Sequence, residues 1–314
     1  MASKKVYLGI DTSNYTTSIA ICDEDGKIVL NLKRLLEVKA GERGLRQSDA
    51  VFSHIKNFPS LSENLEEYLR GREIEAIGVS TKPRDAEASY MPCFLTGVAI
   101  AQTLAATHHT PLYEFSHQAG HIMAALYSSN SIDNLIDNEF VAFHVSGGTT
   151  EVLYVKRSNG TFDVRILFET DDISAGQAID RSGVMMGMKF PCGRELEKYA
   201  LTYQGKLPKP KICVREGKCN LSGIENIAKK LYSETNDKEY VSAYVLNFIA
   251  KTLTSIAENI REKYPNIPIV FSGGVMSNSI LQKELSRFGN TYFATPEFSS
   301  DNAAGIALLT KMKK

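Results

Sequence analysis

The chain has no net charge, with 36 Lys and Arg set against 36 Asp and Glu in 314 residues. So balanced a chain is not a non-specific polyanion binder, and any nucleic acid it handles must meet a local patch or come through a partner. Cysteine is sparse. The five thiols, Cys22, Cys93, Cys192, Cys213 and Cys219, are odd in number and include no Cys-x-x-Cys. That argues against a disulfide framework and leaves Cys213 and Cys219 a poor zinc signal, while scattered reduced thiols suit the cytoplasm. No apolar run approaches the roughly 20 residues of a membrane-spanning helix, and Met1–Lys5 leads straight towards a strand with no signal-peptide apolar run. The expectation is a cytoplasmic protein without a membrane role. Also missing is any convincing Ser/His/Asp or Cys/His set for covalent catalysis.

What remains is ordinary globular material, 43% hydrophobic and 23% charged, enough for one large or two medium domains. Val6–Asp11 reads as a buried strand, Thr12–Tyr15 as a turn, and Thr16–Cys22 and Ile28–Leu35 as strands. Asp49–Lys56 and Ser60–Leu69 look helical, Ile74–Ser80 is a strand and Pro92–Ala106 an apolar helix. Leu112–Phe115 is a short strand that leads to Ser116, a plausible N-cap. The second half repeats the opening: strand Phe140–Val145, turn Ser146–Thr149, strand Thr150–Lys156. Helices follow at Ala175–Met188, Arg194–Ala200 and Lys238–Lys263, then strand Ile267–Phe271, a helix from about Asn278 and a last helix from about Asp301. Strand-turn-strand units followed by helices, given twice, indicate two related α/β lobes. Gln204–Asn220, with five cations and two prolines, reads as the least structured segment, either a solvated loop or a basic flap for an anionic substrate or RNA.

Within this frame three features carry chemistry. His117-Gln118-Ala119-Gly120-His121 puts two imidazoles on one face of a helix, at a spacing that can bind one metal ion but is often merely structural. Asp301 could complete a two-histidine, one-carboxylate site suited to iron, zinc or manganese, or could simply cap the last helix. Glycine turns at Gly9–Ser13, Ser146–Thr150 and Ser272–Asn278 each follow an apolar strand, which favours a phosphate cradle, although tight turns use glycine for steric reasons too. Asp180 could accept from a ribose or face solvent. His144, inside a strand, reads from the residues alone as structural.

Taken in order, these residues resemble a known family almost end to end, the TsaD-type tRNA threonylcarbamoyladenosine synthases, formerly called O-sialoglycoprotein endopeptidases. Gly9-Ile10-Asp11-Thr12-Ser13 is similar to its opening Gly-Ile-Glu-Thr-Ser, His117–His121 to its metal motif, and Val145–Thr150 to Val-Ser-Gly-Gly-His-Thr. Gly176–Asp180 with Pro191-Cys192-Gly193, Leu221-Ser222-Gly223, Ser272–Asn278 and Ser300-Asp301-Asn302 match further motifs. The resemblance implies a two-lobed actin/Hsp70/sugar-kinase-like ATPase fold built from duplicated ribonuclease-H-like domains. Residues 1–135 would form a lobe with the metal histidines, on which a C-terminal helix 302–314 packs, and residues 136–301 a lobe with the nucleotide loops. It implies one divalent metal, iron or zinc, held by His117, His121 and Asp301. ATP, AMP or a carbamoyl-adenylate would be held by His144, Val145, Ser146, Gly147, Gly148, Asp180, Gly193 and Asn278. The implied reaction passes a threonylcarbamoyl group from its adenylate to a tRNA adenosine beside the anticodon and releases AMP. The implied partners are tRNA and other threonylcarbamoylation proteins or a homologous subunit.

Departures from the family pattern point to a divergent paralogue. Asn14–Thr17 lacks acidic residues, Ala119 stands for a glutamate, Thr149 for a histidine and Glu225 for a lysine. Lys82–Tyr90 replaces a glycine-rich loop. The candidate catalytic residues are therefore Asp11 and, in that replaced loop, Asp85 and Glu87, with Arg84 beside them; a plain surface loop is the alternative. The other readings are carbamoyl transfer to a different acceptor, a nucleotide-binding regulatory paralogue and a small-molecule kinase. A metalloprotease is disfavoured, because Ala119 cannot act as a base.

Overall fold

The computed structural model describes residues 4–13, 15–37, 45–299 and 303–314. The chain opens with β1 (Lys4–Ser13), β2 (Thr16–Asp23) and β3 (Ile28–Leu35), then α1 (Gln47–Leu69), β4 (Arg72–Lys82), α2 (Phe94–His108), β5 (Leu112–Ser116) and α3 (His117–Ser128). A one-turn helix, α4 (Ile132–Leu135), leads into β6 (Phe140–Val145), β7 (Thr150–Ser158), β8 (Thr161–Thr170), α5 (Ala175–Met185) and α6 (Gly193–Thr202). A short hairpin, β9 (Cys213–Arg215) and β10 (Lys218–Asn220), precedes α7 (Gly223–Thr235) and α8 (Lys238–Lys263). Then come β11 (Ile269–Ser272), α9 (Ser279–Leu285), β12 (Thr291–Phe293), α10 (Pro296–Ser299) and α11 (Ala304–Lys313).

The described residues form two compact units. One holds the chain to Ile132, Arg157–Asp163 and the C-terminal helix; the other holds Asp133–Lys156 and Val164–Ser299. The first sheet has the order β3-β2-β1-β4-β5, with β1, β2 and β3 antiparallel and β1, β4 and β5 parallel. The second has the order β12-β11-β6-β7-β8-β10-β9. Leaving out the β9/β10 hairpin, it repeats the first sheet strand for strand: an antiparallel β6/β7 pair, then β11 and β12 added parallel on the other side of β6. The duplication expected from the sequence is therefore a duplication of topology.

Each sheet buries its own core. In the first unit Leu8, Ile10, Ile19, Ile21 and Ile77 meet Phe58, Leu61 and Leu65 of α1 and Ala101 of α2. On the other face α11 lies so close to β1 that a Cβ at Gly9 would sit 2.5 Å from the Ala303 carbonyl oxygen and the Ala307 nitrogen. Gly9 thus serves close helix–sheet packing inside a strand, which corrects the expected phosphate-binding turn at Gly9–Ser13. In the second unit the long α8 is the central helix, burying Val241, Val245, Ile249, Leu253 and Ile256 among β6, β11, α5, α6 and α9.

Three expected elements need correction. The two helices split at Pro59 are one helix, α1. The proline removes one backbone donor, but Phe58, Leu61 and Leu65 are buried and hold the helix through the break, while Ser60 and Ser62 hydroxyls donate to the carbonyls of Asn57 and Phe58. Gln204–Asn220 is not structureless, because β10 pairs parallel with β8 and extends the second sheet. The helix expected over Ala175–Met188 stops at Met185, ahead of Gly187 at φ +81°. No helix among the described residues is long and apolar enough to cross a membrane.

Candidate functional site

The first unit gathers its chemistry at the carboxyl ends of three parallel strands, the edge where open α/β sheets bind ligands. Asp11 lies two residues before the end of β1, with no solvent exposure. Its Oδ1 accepts from the Ser80 hydroxyl at the end of β4 and from His117 Nδ1, 3.1 Å away, just beyond β5. A carboxylate can only accept, so Nδ1 carries the proton and His117 Nε2 presents its lone pair. That lone pair faces His121 Nε2 at 2.9 Å, with the rings edge-on at 83°. Two ligands at about 2.0–2.1 Å from one ion lie about 2.9–3.3 Å apart, so the pair is spaced as two metal ligands are. The second carboxylate oxygen of Asp11, Oδ2, is buried with no hydrogen-bond partner. Two convergent imidazoles backed by a carboxylate fit a borderline divalent ion such as iron or zinc.

The third expected ligand, Asp301, lies outside the described residues, and among the described residues no group of three His, Cys, Asp or Glu is gathered as a metal site. The start of α3 is held firmly. Ser116 caps it, accepting from Ala119 N at 3.2 Å, and its own hydroxyl donates to Asp85 Oδ2 at 2.7 Å. Asp85 also pairs with Lys82 at 3.0 Å, and Gln118 N donates to Pro83 O at 3.0 Å. The Lys82–Tyr90 segment thus braces the histidine helix. Asp85 is engaged in that brace, and Glu87 is exposed. A surface hollow of about 540 Å³, lined by Arg72, Glu75, His108 and Pro111, lies at the opposite, amino-terminal ends of β4 and β5, and none of these site residues lines it.

In the second unit the expected nucleotide residues form a closed ring of contacts. β6 and β11 run parallel, so Ser146 and Gly273 emerge side by side from the same edge. Gly273 sits at φ +96°, and a Cβ there would overlap the Val145 carbonyl, so only glycine fits. The Ser146–Gly147 loop meets the start of α5: Gly176 N donates to Ser146 O at 3.1 Å, and the Ser174 hydroxyl to Gly147 O at 2.7 Å. Five residues after the start of α5, Asp180 Oδ1 accepts from Cys192 N at 2.7 Å, next to Gly193 at the start of α6. Burial pushes the Asp180 carboxyl up, against that hydrogen bond, which pulls it down. One turn along α6, Glu197 accepts from Ser279 N at 2.7 Å and from its hydroxyl at 2.6 Å. Asn278 caps the same helix, α9, through Ile280 N and Leu281 N. Gly147, Gly148, Gly193 and Gly274 have no atom within 4 Å of where a Cβ would be, so their backbones border open space.

His144 stands opposite Glu151 across the β6/β7 ladder, Nδ1 to Oε1 3.8 Å, with the acid 3% exposed and the histidine 15%. Glu225 pairs with Arg181 at 3.1 Å. Ser80, Glu151 and Glu197 escaped the sequence reading, since each owes its place to a partner on another element. Four of the five thiols are unsuited to nucleophilic work: burial pushes Cys22 and Cys93 up to about 12 and Cys192 and Cys219 up to about 11.

The fold is that of the actin/Hsp70/sugar-kinase-like ATPases. Component A of the (R)-2-hydroxyglutaryl-CoA dehydratase of Acidaminococcus fermentans superposes with a TM-score of 0.57 at 16% identity, covering 98% of both chains. A ROK family glucokinase from Streptomyces griseus, in complex with glucose and AMPPNP, gives 0.53 at 11%, covering 98% of this chain and 99% of its own. Within that fold the family is defined by sequence: the model for TsaD, tRNA N6-adenosine threonylcarbamoyltransferase, matches residues 41–308, and the chain belongs to that family of transferases. The tRNA N6-adenosine threonylcarbamoyltransferase of Mycoplasmopsis synoviae is 29% identical over 98% of this chain and 99% of its own length.

Proposed function

We propose that this chain transfers a threonylcarbamoyl group from its adenylate to the N6 amine of a tRNA adenosine, in the cytoplasm, with other threonylcarbamoylation proteins or a homologous subunit as partners. In that step a C–N bond forms at the carbamoyl carbon, the bond from that carbon to the phosphate oxygen breaks, and AMP and a proton leave. No side chain becomes covalently attached, in keeping with the buried thiols Cys22, Cys93, Cys192 and Cys219, which burial holds protonated. The observation that carries the reading is the His117–His121 pair, with Nε2 atoms 2.9 Å apart and His117 oriented by Asp11.

His117, His121 and Asp301 would hold one divalent metal, which when bound supplies positive charge to polarise a substrate oxygen. Asp11, itself held by Ser80, keeps His117 in the ligating tautomer. Backbone groups of Ser146, Gly147 and Gly148 would receive the phosphate, beside Val145 and His144, and Gly193 and Asn278 would border the nucleoside. Asp180, fixed by Cys192 N, would accept from the ribose. Asp85 acts by holding Ser116 and so the start of the histidine helix, rather than on the reacting atoms.

Deleting the gene and measuring tRNA threonylcarbamoyladenosine by mass spectrometry tests the proposal. Loss of the modification, restored by the intact chain and not by His117→Ala, is expected. Unchanged modification, with AMP-binding retained, would instead support a regulatory paralogue or another acceptor.

A further inference from the structure

The balance of charge over the whole chain hides a local imbalance. Between Arg194 and Arg215 there are six cations and two acids, in a protein whose formal net charge is zero. All six cations are exposed. Arg181 is paired with Glu225 and Lys218 with Glu169 and Asp171, whereas Lys189, next to Phe190, is exposed like the six. Among the described residues none of the six has a carboxylate within ion-pair distance. One of the two acids, Glu197, is bound to Ser279.

The elements that carry the six pack on one core, α6 through Leu196 and Ala200 and the 204–215 segment through Leu207, Ile212 and Val214. On α6, Arg194, Lys198 and the exposed Leu201 fall on one stripe, opposite Leu196 and Ala200, which are buried in the core that α8 organises. Lys206, Lys209 and Lys211 follow on the stretch leading to β9. Arg215 ends β9, the outer strand of the sheet, and the hairpin's Val214 packs into the same core as α6. Phe190, 75% exposed, stands four residues before Arg194. An exposed aromatic beside unpaired cations suits a nucleic acid, offering a stacking face next to phosphate-binding charge.

We propose that this face, α6 together with the 204–215 segment, holds the phosphate backbone of the acceptor RNA outside the reacting nucleotide. The inference rests on the proposed reaction for its partner and on the charge distribution for its place. A neutral enzyme that takes a polyanion meets it through such a patch or through a partner, and each phosphate neutralised on this face releases counterions, so binding through it must weaken steeply with salt.

The test uses the full-length protein and an unmodified full-length tRNA transcript, with binding followed by anisotropy between low and physiological salt. The triple variant Lys206→Gln, Lys209→Gln, Lys211→Gln is expected to weaken binding at least about tenfold and to flatten the slope of log affinity against log salt by about two to three. Phe190→Ala should weaken binding about tenfold with the slope unchanged, because stacking displaces no counterions. Circular dichroism melts check that both variants fold. If the intact protein modifies tRNA and both variants keep its affinity and slope, the surface is wrongly placed and the proposed reaction stands. If the intact protein neither binds nor modifies tRNA, the proposed reaction fails and takes this inference with it.

Discussion

His117 Nδ1 donates to Asp11 Oδ1 across 3.1 Å, joining residues 106 positions apart in the chain. The bond fixes the tautomer of the first histidine of α3 and aims its Nε2 at His121. Replacing Asp11 by Asn keeps the volume but removes the charge that makes His117 a better ligand. Affinity for zinc, measured by competition with a chromogenic chelator, is expected to fall about 10–100-fold. His117→Ala should lower it further. Affinity unchanged in Asp11→Asn would show that Asp11 does not serve the histidine as a ligand.

Ser116 is the N-cap of α3, and its hydroxyl is in turn held by Asp85. Ser116→Ala removes both contacts and is expected to cost about 1 kcal/mol in urea unfolding. Asp85→Ala leaves the cap in place and should cost less. A larger loss in Asp85→Ala than in Ser116→Ala would contradict this order of dependence.

These contacts mark the limit of what the residues alone disclose. Ser116 is legible as a cap because capping is local, and the repeated strand-turn-strand pattern is legible because alternation and glycine turns are local too. Asp85 is visible as a charge, but its place beneath Ser116 depends on β4 and β5 lying side by side, which no short window of sequence encodes. The same holds for Gly9, whose need for glycine comes from α11, some 290 residues further on. At Pro59 the local rule was simply outweighed, since burial of Phe58, Leu61 and Leu65 favours a continuous helix more than the missing donor opposes it. In β9 and β10 the surrounding lysines and prolines masked two three-residue strands that gain stability only by joining β8.

His54 is fully buried on α1, its Nδ1 2.9 Å from Thr17 Oγ1, and its Nε2 has no hydrogen-bond partner. Burial pushes its pKa down, more than the Asp11 charge and the Ser13 backbone raise it. The folded protein therefore binds this proton less readily than the unfolded chain, whose histidine titrates near 6.5. Stability is fully present above about pH 6.5 and is lost as pH falls from there towards the lowered folded value. Urea midpoints of the native protein should decline over that window, and His54→Gln should decline less steeply, whatever its absolute stability. Parallel pH profiles for the two proteins would show that His54 does not set this slope.

Gly148 allows the nucleotide cradle to be tested apart from the fold. Its φ is not positive, and a Cβ there would meet no atom within 4 Å. Valine at this position should therefore neither strain the backbone nor crowd the core, and its melting temperature should stay near that of the native protein. The same methyl groups would project into the open space beside the Ser146–Thr149 turn. If that space receives the phosphate of an adenylate, the backbone can no longer approach it, and AMP affinity measured by isothermal titration should fall at least about tenfold. Gly176→Val makes the opposite control, since a Cβ there would lie 2.5 Å from Gly147 Cα and should disturb the loop itself. A stable Gly148→Val protein with undiminished AMP affinity would place the nucleotide elsewhere in the molecule.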